Sequence, residues 1–442
     1  MLNTVLLHQI QGHCIKMRIP LAWAAKPPRV KFAGGVRLKM HKETRKPIDY
    51  RMLFALDDDV IHFNAASVTP HPKVVVEAGQ AALEVRRRPW EISTHHFSKN
   101  MEQLRGLIAK HLHCSVNSVA LVPTVSHGME TVARNIELGS SDEVLIPSAD
   151  FPSCYFAWRN ACNRSGAELV LAPRPRLGDW TETILQHIGR RTRVVVVPQT
   201  DWSNGTHFDL KKIREATKAV GALMVNDISQ SFCAAPYSVE EIQPDIVLSV
   251  GYKWQLGPHG LSFMYVAPEY YDWEPLETNW LDRANSADFT RHAEFRDDDL
   301  PGARRFDSGQ RSQLQLVPMA LAAQSFINEI GVADIFQNIC GLNKWIAAGL
   351  SELGCVVVPD ADRTGHLLAF SLPNWEYSAS LMLALKENNI SLSLRDHKYF
   401  RVSPHIYNTA EEADRFLEVM KELLQSHMYF TSRSRATDAA SG

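Results

Sequence analysis

From Ile61 onward, short apolar runs alternate with longer segments of helical spacing, and this alternation constrains the fold more than any other feature. Strand–helix alternation implies an α/β domain whose sheet is mostly parallel and covered by helices on both faces. Ligands of such sheets bind beyond the carboxyl ends of the strands, so we expect functional residues there. The predicted strands of this seven-stranded sheet are Val119–Val122, Glu143–Ile146, Glu168–Leu171, Val194–Val197, Leu223–Val225, Ile246–Leu248 and Ser262–Val266.

The pattern changes after about Leu314, where two long helical segments precede shorter strands and helices. We therefore predict a large domain over residues 51–314 and a smaller C-terminal α+β domain over residues 315–428. The stretch from Ser432 to Gly442 is small and polar, and we expect a disordered tail over residues 429–442.

The first fifty residues form a basic leader, with ten Lys or Arg and two acidic residues. Three interpretations remain open: an organellar transit peptide, a disordered extension, or an upstream start codon with Met40 as the true start. The rest of the composition favours the cytoplasm, because seven scattered cysteines without a CxxC pair do not indicate a disulfide framework. A net charge of −2 gives no reason to expect nucleic acid or an acidic membrane surface as a partner.

Two polar side chains follow neighbouring predicted strands. Asp227 comes after Leu223–Val225, and Lys253 comes after Ile246–Leu248, within the stretch GYKWQLGPHG at residues 251–260. Lys253 could be an ordinary surface-loop lysine. A lysine desolvated by aromatic neighbours, however, has a lowered pKa and becomes a competent amine nucleophile. A pyridoxal phosphate enzyme needs such an amine and an acidic partner for the pyridine nitrogen.

The order and spacing of these motifs resemble the fold-type I pyridoxal-phosphate enzymes of aminotransferase class V. This group includes cysteine desulfurases, kynureninases and isopenicillin-N-epimerase-like proteins, and the resemblance extends from Phe63 to Thr409. It implies that pyridoxal 5′-phosphate is held as a Schiff base on Lys253, the internal aldimine. It also implies that Lys253 shuttles the Cα proton and that Asp227 keeps the ring nitrogen protonated, so that the ring stabilises the resulting carbanion as a quinonoid.

Further cofactor contacts follow from the same resemblance. The stretch PTVSHG at residues 123–128 enters a helix whose apolar residues share one face, and a helix N-terminus suits a phosphate group. The implied phosphate contacts are Ser126, His127 and Tyr252, the implied ring-stacking aromatic is Phe151, and the implied contacts of the phenolic oxygen are Gln230 and Asn204. The alternatives are a simple N-cap for Ser126, core packing for Phe151, and ordinary loop amides for the last two.

Two residues are implied to bind the substrate. Arg401 matches the arginine that grips the substrate α-carboxylate, although a surface ion pair is the alternative. His207 stands where the family usually has glycine, and its imidazole could reach the substrate. The segment Arg305–Asp307 resembles a region near the dimer interface of the family, and a homodimer is implied.

The implied reaction begins with Cα deprotonation of an amino acid. Transamination is ranked first; Cβ elimination by a lyase, epimerisation or racemisation, and a non-catalytic cofactor-binding protein are the alternatives. A persulfide-forming desulfurase is disfavoured, because the stretch before Arg401, residues 395–400, has no cysteine. His95 and His96 do not indicate a metal site, because the side chains of adjacent residues diverge.

Overall fold

The computed structural model describes residues 50–175, 180–291, 293–310 and 312–439. Within these ranges the strands are β1 (Ile61–His62), β2 (Val119–Val122), β3 (Glu143–Pro147), β4 (Glu168–Ala172), β5 (Thr192–Pro198), β6 (Leu223–Asp227), β7 (Ile246–Val250), β8 (Ser262–Val266), β9 (Val356–Val357), β10 (Leu368–Ser371), β11 (Ile390–Ser391), β12 (Ser393–Arg395) and β13 (Tyr399–Val402). The α-helices are α1 (Lys73–Val85), α2 (Thr94–Leu112), α3 (Val125–Asn135), α4 (Pro152–Ser165), α5 (Thr181–His187), α6 (Leu210–Val220), α7 (Val239–Ile242), α8 (Leu316–Ile330), α9 (Val332–Glu352), α10 (Ser378–Glu387) and α11 (Ala410–Ala439).

A seven-stranded sheet forms the centre of the large domain, in the order β2-β8-β7-β6-β5-β3-β4. Neighbouring strands from β7 to β4 pair in parallel, whereas β8 runs antiparallel to both β2 and β7. Each of the seven predicted strands is present at its predicted place, so the fold class is confirmed. The sequence order of the parallel strands brings the carboxyl ends of β3, β5, β6 and β7 to one edge, where the site is expected.

Side chains of the central strands alternate between two hydrophobic cores, which is why these strands are apolar throughout. In β5, Val194 and Val196 pack in the core beneath α3 and α4, where Trp158 is also buried. Val195 and Val197 point to the opposite face, into the core shared with α2, α6 and α8. Two-sided burial therefore explains the continuous valine run.

The C-terminal part contains a four-stranded antiparallel sheet in the order β12-β13-β10-β9. Its core also includes Ile61 and Phe63, because β1 pairs in parallel with β11. An N-terminal segment is thus part of the smaller core. In contrast, α8 packs against α1 and α2 in the core of the large sheet, although it lies C-terminal to residue 314. The domain boundary at residue 315 stays a prediction.

Both chain ends bear on earlier expectations. The basic leader lies outside the described residues, apart from Tyr50. We predicted a disordered tail from residue 429, whereas α11 continues to Ala439. Among the described helices, none alone has the length and apolar character of a membrane span, although the bent pair α8 and α9 meets both criteria when the two are combined.

Candidate active site

A cleft lies at the carboxyl ends of the parallel strands, with about 910 Å³ of space not occupied by atoms. Six of the residues predicted to form the site line it: Ser126, Phe151, Asp227, Gln230, Tyr252 and Lys253. The other four predicted residues, His127, Asn204, His207 and Arg401, are not part of its wall.

The turn that carries Lys253 is held from two directions. On one side, position 251 requires glycine, because a Cβ atom there would lie only 2.5 Å from the carbonyl oxygen of Leu261. On the other side, the Thr69 hydroxyl donates to the carbonyl oxygen of Lys253 at 2.8 Å. The following residue, Trp254, is buried and its indole N–H donates to Gln230 Oε1 at 3.0 Å. These contacts fix the backbone from which the lysine side chain extends.

The amine of Lys253 lies in a setting that favours its neutral form. The residue is only 8% exposed, and its Nζ lies 5.4 Å from the ring centre of Phe151 and 5.8 Å from that of Tyr252. Burial lowers the pKa of Lys253 to about 8; Asp227 opposes this shift, and the charges of Arg401 and Arg395 add to it. An amine with this pKa is partly unprotonated near neutral pH, as a nucleophile requires.

Two carboxyl groups face the same cleft. Asp227 ends β6, and its Oδ1 accepts the N–H of Ser229 at 2.9 Å, while the Cys154 thiol lies 3.6 Å from its Oδ2. Asp150 also lines the cleft, and its Oδ2 is buried with no hydrogen-bond partner among the described residues. Burial, and then the charge of Asp227, hold the pKa of Asp150 well above its usual range. Asp150 is therefore protonated more readily than an isolated carboxyl group in water would be.

Helix α3 points its N-terminus at the cleft. Thr124 is the N-cap, and its hydroxyl accepts the N–H of His127 at 3.0 Å, so Ser126 is not the cap but a residue of the first turn. The helix approaches the sheet closely at Gly128, where a Cβ would lie 2.2 Å from Leu248. Free first-turn N–H groups and the Ser126 hydroxyl are suited to an anion.

His127 and Tyr252 differ in position. The His127 side chain is turned away from the cleft wall, with its Nδ1 3.7 Å from Glu277 Oε1, so its predicted phosphate contact is not supported by this placement. The ring of Tyr252 stacks on His259 at 3.8 Å between ring centres, and both residues line the cleft. Sequence reasoning missed His259, which stands within the same glycine-rich stretch as Lys253.

An aromatic wall closes the cleft on the side of the small domain. Phe151 is 40% exposed, so it is not a core residue, and its ring meets Trp202 edge-on at 5.7 Å. The indole N–H of Trp202 donates to the carbonyl oxygen of Ala149 at 2.8 Å. Trp202 was not predicted, because its segment has no distinct motif apart from the following Ser-Asn-Gly-Thr.

The two predicted amide contacts have different surroundings. Gln230 lines the cleft, but its carboxamide is already bonded to Trp254 and to the carbonyl oxygen of Ala66. Asn204 does not line the cleft, because its Oδ1 turns back to accept the N–H and hydroxyl of Thr206 at 3.0 and 2.8 Å. For Asn204, the alternative of an ordinary loop amide fits the structure better.

Arg401 is the most deeply buried cation near the site, at 1% exposure in the middle of β13. Its guanidinium donates to the carbonyl oxygen of Trp202 at 2.6 Å and to the Ser67 hydroxyl at 2.7 Å, and its Nε has no partner among the described residues. The alternative of a surface ion pair is wrong, since the group is buried and bonded to neutral oxygens. An unmatched buried guanidinium is ready to receive a carboxylate.

Two further predictions fall away from the cleft. His207 forms an antiparallel bridge with Thr200, which lines the cleft, but His207 itself is not part of the wall, and its contact with the substrate stays a prediction. In the 305–307 segment, Asp307 is buried in an ion pair with Arg105. No group of three His, Cys, Asp or Glu side chains suited to a metal ion occurs in the part of the chain that the structure describes.

The family model of aminotransferase class V matches residues 60–416, so the chain belongs to this family. The uncharacterized aminotransferase YcbU of Bacillus subtilis strain 168 is 28% identical over 70% of this chain and 80% of its own length. The isopenicillin N epimerase of Streptomyces clavuligerus is 24% identical over 84% of this chain and 96% of its own. The solved apo structure of the cysteine desulfurase from Thermococcus onnurineus NA1 superposes with a TM-score of 0.74 at 21% identity, covering 87% of this chain and 99% of that chain.

The cofactor of this class V enzyme is pyridoxal 5′-phosphate, and the cleft fits it. A buried amine at Lys253 suits its aldehyde, and the Asp227 carboxylate, beside the buried and unpartnered Oδ2 of Asp150, suits a protonated ring nitrogen. The first turn of α3 suits the phosphate, and Phe151 offers a ring face at the cleft. The required donor types are therefore all present in one cleft.

Proposed function

We propose that the protein acts on an amino acid, with Lys253 as the residue that holds the cofactor covalently. The observation that carries this proposal is a buried, partly neutral amine in the same cleft as two carboxyl groups, with an unmatched arginine behind the wall. When bound, pyridoxal phosphate supplies the electron sink that makes the substrate Cα–H acidic.

Three residues of the chain have further roles in the proposed reaction. Arg401 binds the substrate carboxylate through its planar fork and so orients the Cα–H bond. Lys253, once free of the cofactor, accepts the Cα proton and returns it, for which a pKa of about 8 is well matched to neutral pH. Asp227, whose Oδ1 accepts the Ser229 N–H, would pair with the protonated ring nitrogen of the cofactor.

Among the possible reactions we rank transamination first on the breadth of the family alone, because no further group that lines the cleft among the described residues selects one chemistry. A lyase acting at Cβ and an epimerase or racemase are the alternatives. A persulfide-forming desulfurase is disfavoured, because no cysteine lines the cleft within the described residues; the nearest thiol, Cys154, is buried behind Asp227.

The cofactor link is tested by borohydride reduction followed by peptide mapping. We expect a pyridoxyl label on Lys253 and none on Lys398, an exposed lysine of the small domain that serves as an internal control. Lys253→Ala is expected to keep the circular dichroism spectrum of the fold and lose the label. A label elsewhere, or none, contradicts the proposal.

The catalytic role is tested by titrating the purified holoenzyme with amino acids while recording its visible absorbance. A substrate changes the spectrum, and the products then identify the reaction: a keto acid with amine transfer, ammonia, or an inverted stereocentre. A cofactor band that no amino acid disturbs favours the non-catalytic binding protein instead.

We also propose a homodimer, on the family resemblance alone. Sedimentation velocity of the holoenzyme is expected to give a mass of two chains. A strictly monomeric holoenzyme contradicts this part of the proposal without affecting the assignment of Lys253.

A further inference from the structure

The pairing of β12 with β13 places two arginines on one face of the small sheet. Ser393 lies directly opposite Arg401, and Arg395 lies directly opposite Tyr399. Because side chains alternate along a strand, Arg395 shares the face of Ser393 and is a diagonal neighbour of Arg401. The opposite face carries Phe400, buried in the small-domain core. The sequence and register therefore bring two cations together toward the cleft.

The two guanidinium groups converge on one neutral oxygen. The Ser67 hydroxyl accepts from Arg401 at 2.7 Å and from Arg395 at 3.2 Å. The Nε atoms of both arginines are buried and have no partner within the described ranges. Arg395 also stacks on the ring of Trp202 at 5.6 Å, the same ring that lines the cleft. Both cations thus flank the cleft wall with donor groups left over.

The described carboxylates in this region are not bonded to Arg395 or Arg401. Asp201 and Asp396 each lie 3.6 Å from Arg174, and neither forms a hydrogen bond with Arg395 or Arg401 in the described part of the chain. Asp201 is further occupied by the indole N–H of Trp180 and by Ser203. Asp396 is about half exposed, where solvent weakens its effect. Three guanidinium groups therefore share two carboxylates, one of which faces water.

Two adjacent cations without a bonded anion repel each other, and burial adds to the cost. Both pKa values are accordingly lowered by burial, and for Arg401 the charge of Arg395 adds to the shift. A bidentate carboxylate satisfies one guanidinium. The α-carboxylate of an amino acid therefore binds to Arg401 and leaves Arg395 without a bound anion.

We propose that Arg395 binds a second carboxylate, carried on the substrate side chain, so that the substrate class is a dicarboxylic amino acid. This inference rests on the proposed function, in which Arg401 takes the α-carboxylate. Arg401 is nearly inaccessible, whereas Arg395 is half-buried, so the side-chain carboxylate lies on the outer, solvent-facing side of the α-carboxylate. Trp202 lies between that subsite and Phe151, since its ring contacts both Arg395 and Phe151.

The test uses amine-free acids, so that binding is measured without turnover. The holoenzyme is titrated calorimetrically with succinate, glutarate and adipate, and with butyrate, pentanoate and hexanoate as the monocarboxylates of equal length. We expect the best dicarboxylate to bind at least about tenfold more tightly than its monocarboxylate, since a charged hydrogen-bonded pair is gained. Arg395→Gln is expected to remove this difference while leaving monocarboxylate affinity within about twofold.

Two matched variants complete the experiment. Arg401→Gln is expected to weaken both classes of acid, and Lys398→Gln, which removes an exposed cation of the same hairpin, to change neither. Circular dichroism and cofactor content confirm that each variant is folded.

Equal binding of both classes by the unmodified holoenzyme overturns the proposal, as does equal weakening of both by Arg395→Gln. Absence of binding by every acid overturns it as well. Borohydride labelling of Lys253 on the same preparation shows separately whether the proposed function stands.

Discussion

Arg105 and Arg401 are two arginines of equal burial, at 0% and 1% exposure, with opposite surroundings. Arg105 forms a bidentate pair with Asp307, at 3.1 and 2.7 Å, and Asp307 also accepts the N–H of Leu121 at 2.6 Å. Burial lowers the pKa of Arg105, but the carboxylates of Asp307 and of Glu102, which lies 3.1 Å from its Nε, outweigh burial, so the net shift of the pKa is upward. For Arg401 burial prevails, and the pKa falls to about 9.

The difference separates a structural cation from a ligand-binding one. A buried charge that the fold itself neutralises ties together distant segments, here α2 and the stretch after residue 300. A buried charge that the fold leaves unmatched is a cost that only a bound anion offsets. The predictions below test this distinction, beginning with the largest expected effect.

Asp307→Asn is expected to lower the free energy of unfolding by about 3–5 kcal/mol, because it leaves the buried Arg105 guanidinium with only the partly exposed Glu102 as a charged partner. Urea titration monitored by circular dichroism measures this loss. Asp298→Asn is the matched control, since Asp298 pairs with Arg296 at about half exposure and is expected to contribute less than about 1 kcal/mol. Similar losses in the two variants contradict a structural role specific to the buried pair.

Arg401→Gln is expected to behave in the opposite way. The free energy of unfolding stays the same or rises, because an unmatched buried charge is removed. The affinity for pentanoate falls by about 10- to 150-fold, which corresponds to roughly 1.5–3 kcal/mol for a charged hydrogen bond. Calorimetry and urea titration on one preparation measure both quantities. A large loss of stability with unchanged affinity makes Arg401 a structural residue like Arg105.

The charge of Arg401 also acts on the pKa of Lys253. A nearby cation disfavours the ammonium form, so Arg401→Gln is expected to raise this pKa above about 8. The rate of cofactor uptake by the apoenzyme depends on the free amine, so it rises with pH, and its midpoint moves to higher pH in the variant. Asp227→Asn removes an anion that raises the same pKa, and is expected to move the midpoint down. Stopped-flow absorbance across pH 6–10 records both shifts.

Ser67→Ala is expected to have the smallest effect. The hydroxyl orients Arg401 and Arg395 but is not itself expected to contact the ligand, so the affinity for pentanoate falls only about two- to tenfold, which corresponds to roughly 0.4–1.4 kcal/mol. Calorimetry measures the change, with Ser426→Ala on the exposed face of α11 as a control. An effect as large as that of Arg401→Gln shows that the hydroxyl itself contacts the ligand.

The central sheet was predictable because its strands are buried on both faces and therefore appear as uninterrupted apolar runs. Asp227 and Lys253 were predictable for the same reason, because each of them follows one of these strands. The contact of Asn204 with the phenolic oxygen stays a prediction, because its Oδ1 accepts from Thr206 in a local turn that competes with ligand contacts of this side chain. Such competition depends on local backbone geometry that residue type alone does not specify.

Other residues were missed because they depend on pairing between distant parts of the chain. The pairing of β1 with β11 joins positions more than 300 residues apart in the sequence. Ser67 is hydrogen-bonded to Arg395 and Arg401 over a similar sequence separation. Asp150 was visible in the sequence, but only its burial beside Asp227 distinguishes it from an ordinary acidic loop residue. Tertiary packing, rather than local pattern, creates these parts of the site.

Phe63 is anchored in the small-domain core, and Thr69, six residues later, holds the carbonyl oxygen of Lys253 in the large domain. The chain between them is short and carries Ser67 at its middle. One short segment therefore joins the smaller core to the backbone of the lysine and carries the hydroxyl that both arginines share. The placement of the amine and of both guanidinium groups thus depends on the same few residues.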